Sequence, residues 1–165
     1  MRRRMKIIVA ADKNWAIGRE GELLCQIPGA LKYFKEKTTG KIVVMGRKTL
    51  ESLPGGRPLP NRTNIVLTKD KDFEKEGCVI AGSIEEVLRI LSDMEGEAMV
   101  MGGGLIYRQL LPYCDGCYVT KIDAAFEADT YFPNLDADGD FRLIWESQPH
   151  EENGVTYRFT EYERI

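Results

Sequence analysis

The chain has 165 residues, 43% of them hydrophobic and 30% charged, which is the length and balance of one globular domain with its own core. Its 23 Lys and Arg against 26 Asp and Glu leave a formal net charge of -3, and this argues against a nucleic-acid partner. No apolar run approaches the ~20 residues that span a bilayer, and Met5 to Ala11 is too short for a secretory leader, so no membrane partner and a cytoplasmic location are expected.

Arg2-Arg3-Arg4, ahead of the first apolar stretch, reads as a disordered basic tail of residues 1–4, with a single domain over 5–165. Lys6 to Ala11 is a buried strand. Asp12 to Ile27, with Gly18 and Gly21, has no clear period and reads as a long functional loop. Pro28 opens a helix that Gly40 stops, with Ala30, Leu31, Phe34 and Thr38 on one face. Ile42 to Met45 is a strand, followed at once by Gly46-Arg47-Lys48-Thr49 and a short helix through Ser52. A stiff Pro- and Gly-rich loop leads to a strand over Asn64 to Thr68 and a short one at Val79-Ile80. Ser83-Ile84-Glu85-Glu86 is a capping start to a helix reaching about Met94. Ala98 to Met101 is a strand, and Gly102-Gly103-Gly104 leads into a helix over Leu105 to Leu111. Beyond Gly116, Tyr118 to Asp123, Phe141 to Ser147 and Thr156 to Glu163 read as strands with no helix between them.

Strand–helix alternation predicts an α/β fold with a mostly parallel sheet and helices on both faces, and the strand-rich end adds an antiparallel edge. Ligands of such sheets bind outside the carboxyl ends of the strands, near the topological switch. Gly102-Gly103-Gly104 sits between a strand and a helix, where glycine lets backbone approach a phosphate and a helix start offers N–H donors. A tight turn without a ligand accounts for the three glycines equally well. Gly46 to Thr49 has the same setting, with N-capping and two solvated cations as its plain reading. Two such turns in one small sheet favour a dinucleotide, and Arg47, Lys48 and Lys69 favour one with an extra phosphate, NADPH over NADH. The four cysteines read as free thiols. Cys114 and Cys117 have redox or zinc spacing but no second ligand pair, and read as thiols flanking an Asp-Gly turn; His150 reads as a surface loop residue, and no metal is expected.

Ala16-Ile17-Gly18, Ile27-Pro28, Leu31, Phe34-Lys35, Val44 to Thr49, Glu51-Ser52, Gly56 to Pro60, Arg62, Asn64 to Leu67, Gly102-Gly103-Gly104, Ile106-Tyr107, Thr120 to Asp123 and Asp129 to Pro133 occur in the order and spacing of dihydrofolate reductases. The resemblance runs over nearly the whole chain after Arg4, and implies a dihydrofolate reductase-like, eight-stranded sheet acting as a monomer on dihydrofolate and open to antifolate inhibitors. It implies an NADPH diphosphate at Gly46, Lys48, Thr49, Gly103 and Gly104, continuing along Leu105, Ile106 and Tyr107. It puts the 2′-phosphate at Arg47, Thr68 and Lys69 and the nicotinamide near Ala10, Ile17 and Gly18. The pterin would meet Ile8, Val9, Leu31, Phe34, Leu53, Leu59 and Met101, with Arg62 on the glutamate tail and Arg57 nearby. Residues 12–27 would form a mobile lid. Ala30, Thr120, Tyr107 and Leu23 stand at the positions tied to catalysis.

One of those positions breaks the pattern. The family carries Asp or Glu two residues after the proline matching Pro28, and this chain has Ala30 there. Cys25 likewise replaces the usual Trp before the helix. A methyl group accepts no bond from a pterin and delivers no proton, and Thr120 loses a partner; neither Glu22 nor Glu36 is placed to substitute. The resemblance therefore implies reduction of 7,8-dihydrofolate to tetrahydrofolate with impaired chemistry. Ala30 is either a deliberate substitution in an otherwise normal enzyme, which the surrounding match favours, or a mark of a natural relative. Two alternatives stay open: a relative acting on another pterin or pyrimidine, and a non-catalytic NADPH- or pterin-binding module.

Overall fold

The computed structural model describes residues 5–19, 22–23 and 27–165, with the backbone alone for 19, 22 and 23. In chain order the elements are β1 (Met5–Ala11), β2 (Ala16–Arg19), β3 (Glu22–Leu23), α1 (Pro28–Thr38), β4 (Ile42–Gly46), α2 (Arg47–Ser52), β5 (Thr63–Leu67), β6 (Cys78–Ala81), α3 (Ile84–Ser92), β7 (Ala98–Gly102), α4 (Gly104–Leu110), β8 (Gly116–Ile122), β9 (Thr130–Tyr131), β10 (Phe141–Glu146), β11 (His150–Glu152) and β12 (Val155–Arg164). The main sheet runs β10-β12-β8-β1-β7-β4-β5-β6, with β11 added to β12. From β8 to β6 every pairing is parallel, and β12 and β10 are antiparallel, as the sequence predicts.

Successive side chains of a strand face opposite ways, which explains the unbroken apolar runs. Ile7 and Val9 pack on one face with Val87 and Leu91 of α3 and Ile106 and Leu110 of α4. Ile8, Val43 and Met45 pack on the other with Phe34 of α1 and Leu50 of α2. Pro28 starts α1 in the first turn, and Ser83 caps α3 by accepting the Glu86 N–H at 3.1 Å. The chain leaves β1 through α1 for β4, whereas β7, lying between those two strands, leads through α4 to β8 on the far side of β1. The strand order therefore reverses at β1 and β7, and a ligand crevice is expected at their carboxyl ends.

Three local expectations are corrected. Residues 12–27 are not a strandless loop: β2 and β3 form a hairpin, and β2 also pairs with β9 in a small second sheet. The buried Asp12 carboxylate organises its start, accepting N–H bonds from Asn14, Ala16 and Phe126 at 2.8–2.9 Å. Cys114-Asp115-Gly116-Cys117 is not a turn, because Gly116 already begins β8 and Arg164 N–H bonds the Asp115 carbonyl. Both thiols are buried and free, and burial pushes the Cys117 thiol up to about 12. His150 lies in β11, with its ring stacked 5.4 Å from that of Tyr157. Residues 1–4 and Cys25 lie outside the described residues, as does the side chain of Leu23.

Candidate active site

Parallel pairing puts the two glycine turns side by side. Met45 is in register with Gly102, so Gly46-Arg47 and Gly103-Gly104 leave the sheet from neighbouring strands. Gly46 and Gly103 are the N-cap residues of α2 and α4, and neither has a side chain to bond the first-turn N–H groups. Those donors stay available to an anion. A Cβ on Gly46 would sit 3.2 Å from Ile106 Cγ1 and 4.0 Å from Gly103 N, and one on Gly104 would sit 2.6 Å from Thr130 Cγ2. Gly102 holds a φ of 132°, where side chains are strained, and Thr49 Oγ1 lies against the Gly102-Gly103 backbone. The result is a narrow cradle of backbone donors and one hydroxyl that a larger residue would fill. Leu105 is exposed beside it, whereas Ile106 and Tyr107 turn into the core.

Arg47 follows this cradle, and Thr68 and Lys69 follow β5, the strand paired with β4. Arg47 is already engaged: its Nη1 lies 3.0 Å from Asp70 Oδ2, its Nε 3.7 Å from Glu51 Oε2, and its guanidinium 4.3 Å over the Phe73 ring. Lys48 and Lys69 are exposed and make no ion pair among the described residues.

On the α1 side, Ile8, Phe34, Leu53, Leu59 and Met101 join one apolar cluster, and all but Ile8 are only partly buried. Leu31 is 49% exposed, so the apolar face of α1 is open where it meets the strand ends instead of being closed into the core. Val9 is a correction: its side chain packs on the opposite side of the sheet from Ile8, in the core with Ile7 and Ile106, and not in this cleft. Tyr107 enters from that opposite side; its buried hydroxyl donates to the Ile8 carbonyl at 2.9 Å, and burial holds it far above the usual tyrosine range. Ile17 is buried, and Gly18 pairs with Leu23 and Thr130, which fixes this segment against β3 and β9.

Arg62 is held in place by neutral groups. Its Nε donates to Thr38 Oγ1 at 2.9 Å, one Nη to the Pro60 carbonyl at 3.1 Å and the other to Thr39 Oγ1 at 3.3 Å. Asn64, buried, ties down the preceding loop through Leu59 and the Arg62 carbonyl. No carboxylate among the described residues neutralises this guanidinium. Arg57 is exposed elsewhere, beside a shallow depression of about 500 Å³ shared with Pro58, Glu74, Lys75 and Glu76.

Ala30 lies in the first turn of α1 and packs with Ala10, Ile27 and Ile122. Thr120, buried, is in register with Ala10. The first turn of α1 holds no acid and Ile27 gives no side-chain cap. The carboxylate that faces this helix start comes from β11: Glu152 Oε1 accepts the Gly29 N–H at 3.0 Å and the Tyr157 hydroxyl at 2.5 Å. A Cβ at residue 29 would collide with both groups, so Gly29 is what admits them. Burial and then the Glu152 bond push the Tyr157 hydroxyl up to about 12, so it remains the donor at neutral pH. Nothing in the sequence pointed to Glu152, which is 123 residues from Gly29; Asp70 and Phe73 were missed for the same reason.

A sequence model of dihydrofolate reductase matches residues 4–164. The chain belongs to the dihydrofolate reductase family. It is 43% identical to the dihydrofolate reductase of Bacillus subtilis (strain 168), over 97% of this chain and 94% of that one. It is 40% identical to that of Staphylococcus haemolyticus, over 98% and 96%. Its fold matches a solved structure of dihydrofolate reductase from Enterococcus faecalis complexed with NADP(H) and RAB-propyl, with a TM-score of 0.88 and 37% identity over 98% of this chain and 96% of that chain. Membership makes the chain an oxidoreductase of the dihydrofolate reductase type.

Proposed function

We propose that this chain binds NADPH and dihydrofolate in the crevice at the carboxyl ends of β1, β7 and β4, and forms tetrahydrofolate slowly because Ala30 replaces the acid. The observation that carries the reading is the paired glycine cradle next to an open apolar face. Gly46, Thr49, Gly103 and Gly104 would hold the diphosphate, Arg47, Thr68 and Lys69 the 2′-phosphate, and Ala10, Ile17 and Gly18 the nicotinamide. When bound, NADPH supplies the hydride. Ile8, Phe34, Leu53, Leu59 and Met101 orient the pterin and exclude water, and Leu31 closes the rim. Arg62 takes the glutamate carboxylate, and its fixed, un-neutralised guanidinium favours a folate over a tail-free pterin or pyrimidine.

The proton step is the weak one. The Ala30 methyl has nothing to give, Thr120 cannot serve as an acid alone, and Glu152 is engaged by Gly29 and Tyr157. The pterin N5 must take its proton from solvent, so turnover is slow at neutral pH and rises as pH falls. Protonated diaminopyrimidine antifolates bind weakly, having no carboxylate to pair with. The test is steady-state NADPH oxidation with dihydrofolate, run on the chain and on its Ala30→Asp variant. If the variant binds NADPH and gains no rate, folate is the wrong substrate.

A further inference from the structure

The Arg47 cation is spoken for before any cofactor arrives. Asp70 takes one Nη at 3.0 Å, Glu51 approaches the Nε at 3.7 Å, and Phe73 covers one face of the guanidinium at 4.3 Å. Asp70 is also the hinge of the turn after β5. Its N–H donates to Thr68 Oγ1 at 3.2 Å, its Oδ1 accepts the Asp72 N–H at 3.0 Å, and its carbonyl accepts the Phe73 N–H at 3.2 Å. One residue therefore both builds the Phe73 platform and supplies an anion to the cation standing on it. From the reading that Arg47 meets the 2′-phosphate of NADPH, we infer that Asp70 is a specificity-determining residue that holds down the preference for NADPH over NADH.

The physical reason is competition between two anions for one guanidinium. A phosphate dianion approaching Arg47 meets a group already neutralised by Asp70, and feels the carboxylate itself at close range. NADH, lacking that phosphate, has nothing to lose to Asp70. Lys48 and Lys69 supply cations on the same rim, so some preference for the extra phosphate survives. The pair is exposed, 37% for the Arg47 side chain and 49% for Asp70, so the effect is modest and falls as salt is added.

The experiment is fluorescence titration of the full chain with NADPH and with NADH, in low and high salt, for the unmodified protein, Asp70→Asn, Asp70→Ser and Arg47→Ala. Asn and Ser keep an acceptor for the Asp72 N–H, and so keep the turn while removing the charge. The expected result is an NADPH affinity about threefold to tenfold tighter in both Asp70 variants at low salt, a smaller gain at high salt, and NADH unchanged. Unchanged or weaker NADPH binding in those variants, alongside a selective NADPH loss in Arg47→Ala, overturns the inference and makes Asp70 a residue that aims Arg47 at the phosphate. Equal losses of NADPH and NADH in Arg47→Ala instead overturn the 2′-phosphate reading itself, and the inference with it.

Discussion

The cradle at the ends of β4 and β7 and the opening turn of α1 lie at the same edge of the sheet, yet they depend on sequence in different ways. The cradle is made of backbone: Gly46, Gly103 and Gly104 contribute N–H groups and room, and Thr49 contributes the one hydroxyl. At α1 the proposed proton delivery would rest on one carboxyl group, and Ala30 keeps the helix, its proline start and its packing while offering no such group. A site built of backbone is protected by the shape of the fold. A site built of one side chain can lose its chemistry with no visible change in shape.

Ala30→Asp is the strongest test of this contrast. The substitution should raise dihydrofolate turnover by roughly 10²–10⁴-fold and strengthen diaminopyrimidine binding, with NADPH affinity unchanged. A rate gain accompanied by altered NADPH binding would mean that the two regions are coupled. On the cradle side, Arg47→Ala should cost NADPH about 1.5–3 kcal/mol of binding and spare NADH, as a charge-assisted bond does. In the apolar cleft proposed for the pterin, Arg62→Ala should weaken glutamated folates by a similar ~1.5–3 kcal/mol and leave tail-free pterins alone; equal weakening would return Arg62 to a purely structural role beside Thr38.

Gly29→Ala places a methyl where Glu152 and Tyr157 meet α1, and should cost about 1–3 kcal/mol in thermal unfolding through overpacking. The smallest effect belongs to Glu152→Gln. It removes the negative charge facing the start of α1 and keeps an acceptor for Gly29, so it should lose only about 0.3–1 kcal/mol of stability. In an Ala30→Asp background the same change removes a neighbouring negative charge, which lowers the pKa of the introduced carboxyl. The falling limb of its pH–rate profile should then move to lower pH. A limb that stays in place would show that Glu152 does not reach the site electrostatically.

Much of the architecture could be read from the chain by itself. Unbroken apolar runs at Ile42 to Met45 and Ala98 to Met101, each followed by glycine and a helix start, announce parallel strands with a phosphate-competent turn, because period and glycine placement are local properties. The missing acid at Ala30 was legible only through the resemblance to dihydrofolate reductases, which place Asp or Glu two residues after the proline matching Pro28. What escaped the sequence was non-local. The hairpin of β2 and β3 depends on pairing with β9 and on Asp12 bonding Phe126, 114 residues away. Glu152 meets Gly29 only because β11 folds back along β12, and Arg47 meets Asp70 only because β4 and β5 lie in register. Local pattern determines which elements form and which residue types end them. The partner that neutralises a cation or caps a helix is decided by which strands become neighbours, and only tertiary structure brings those together.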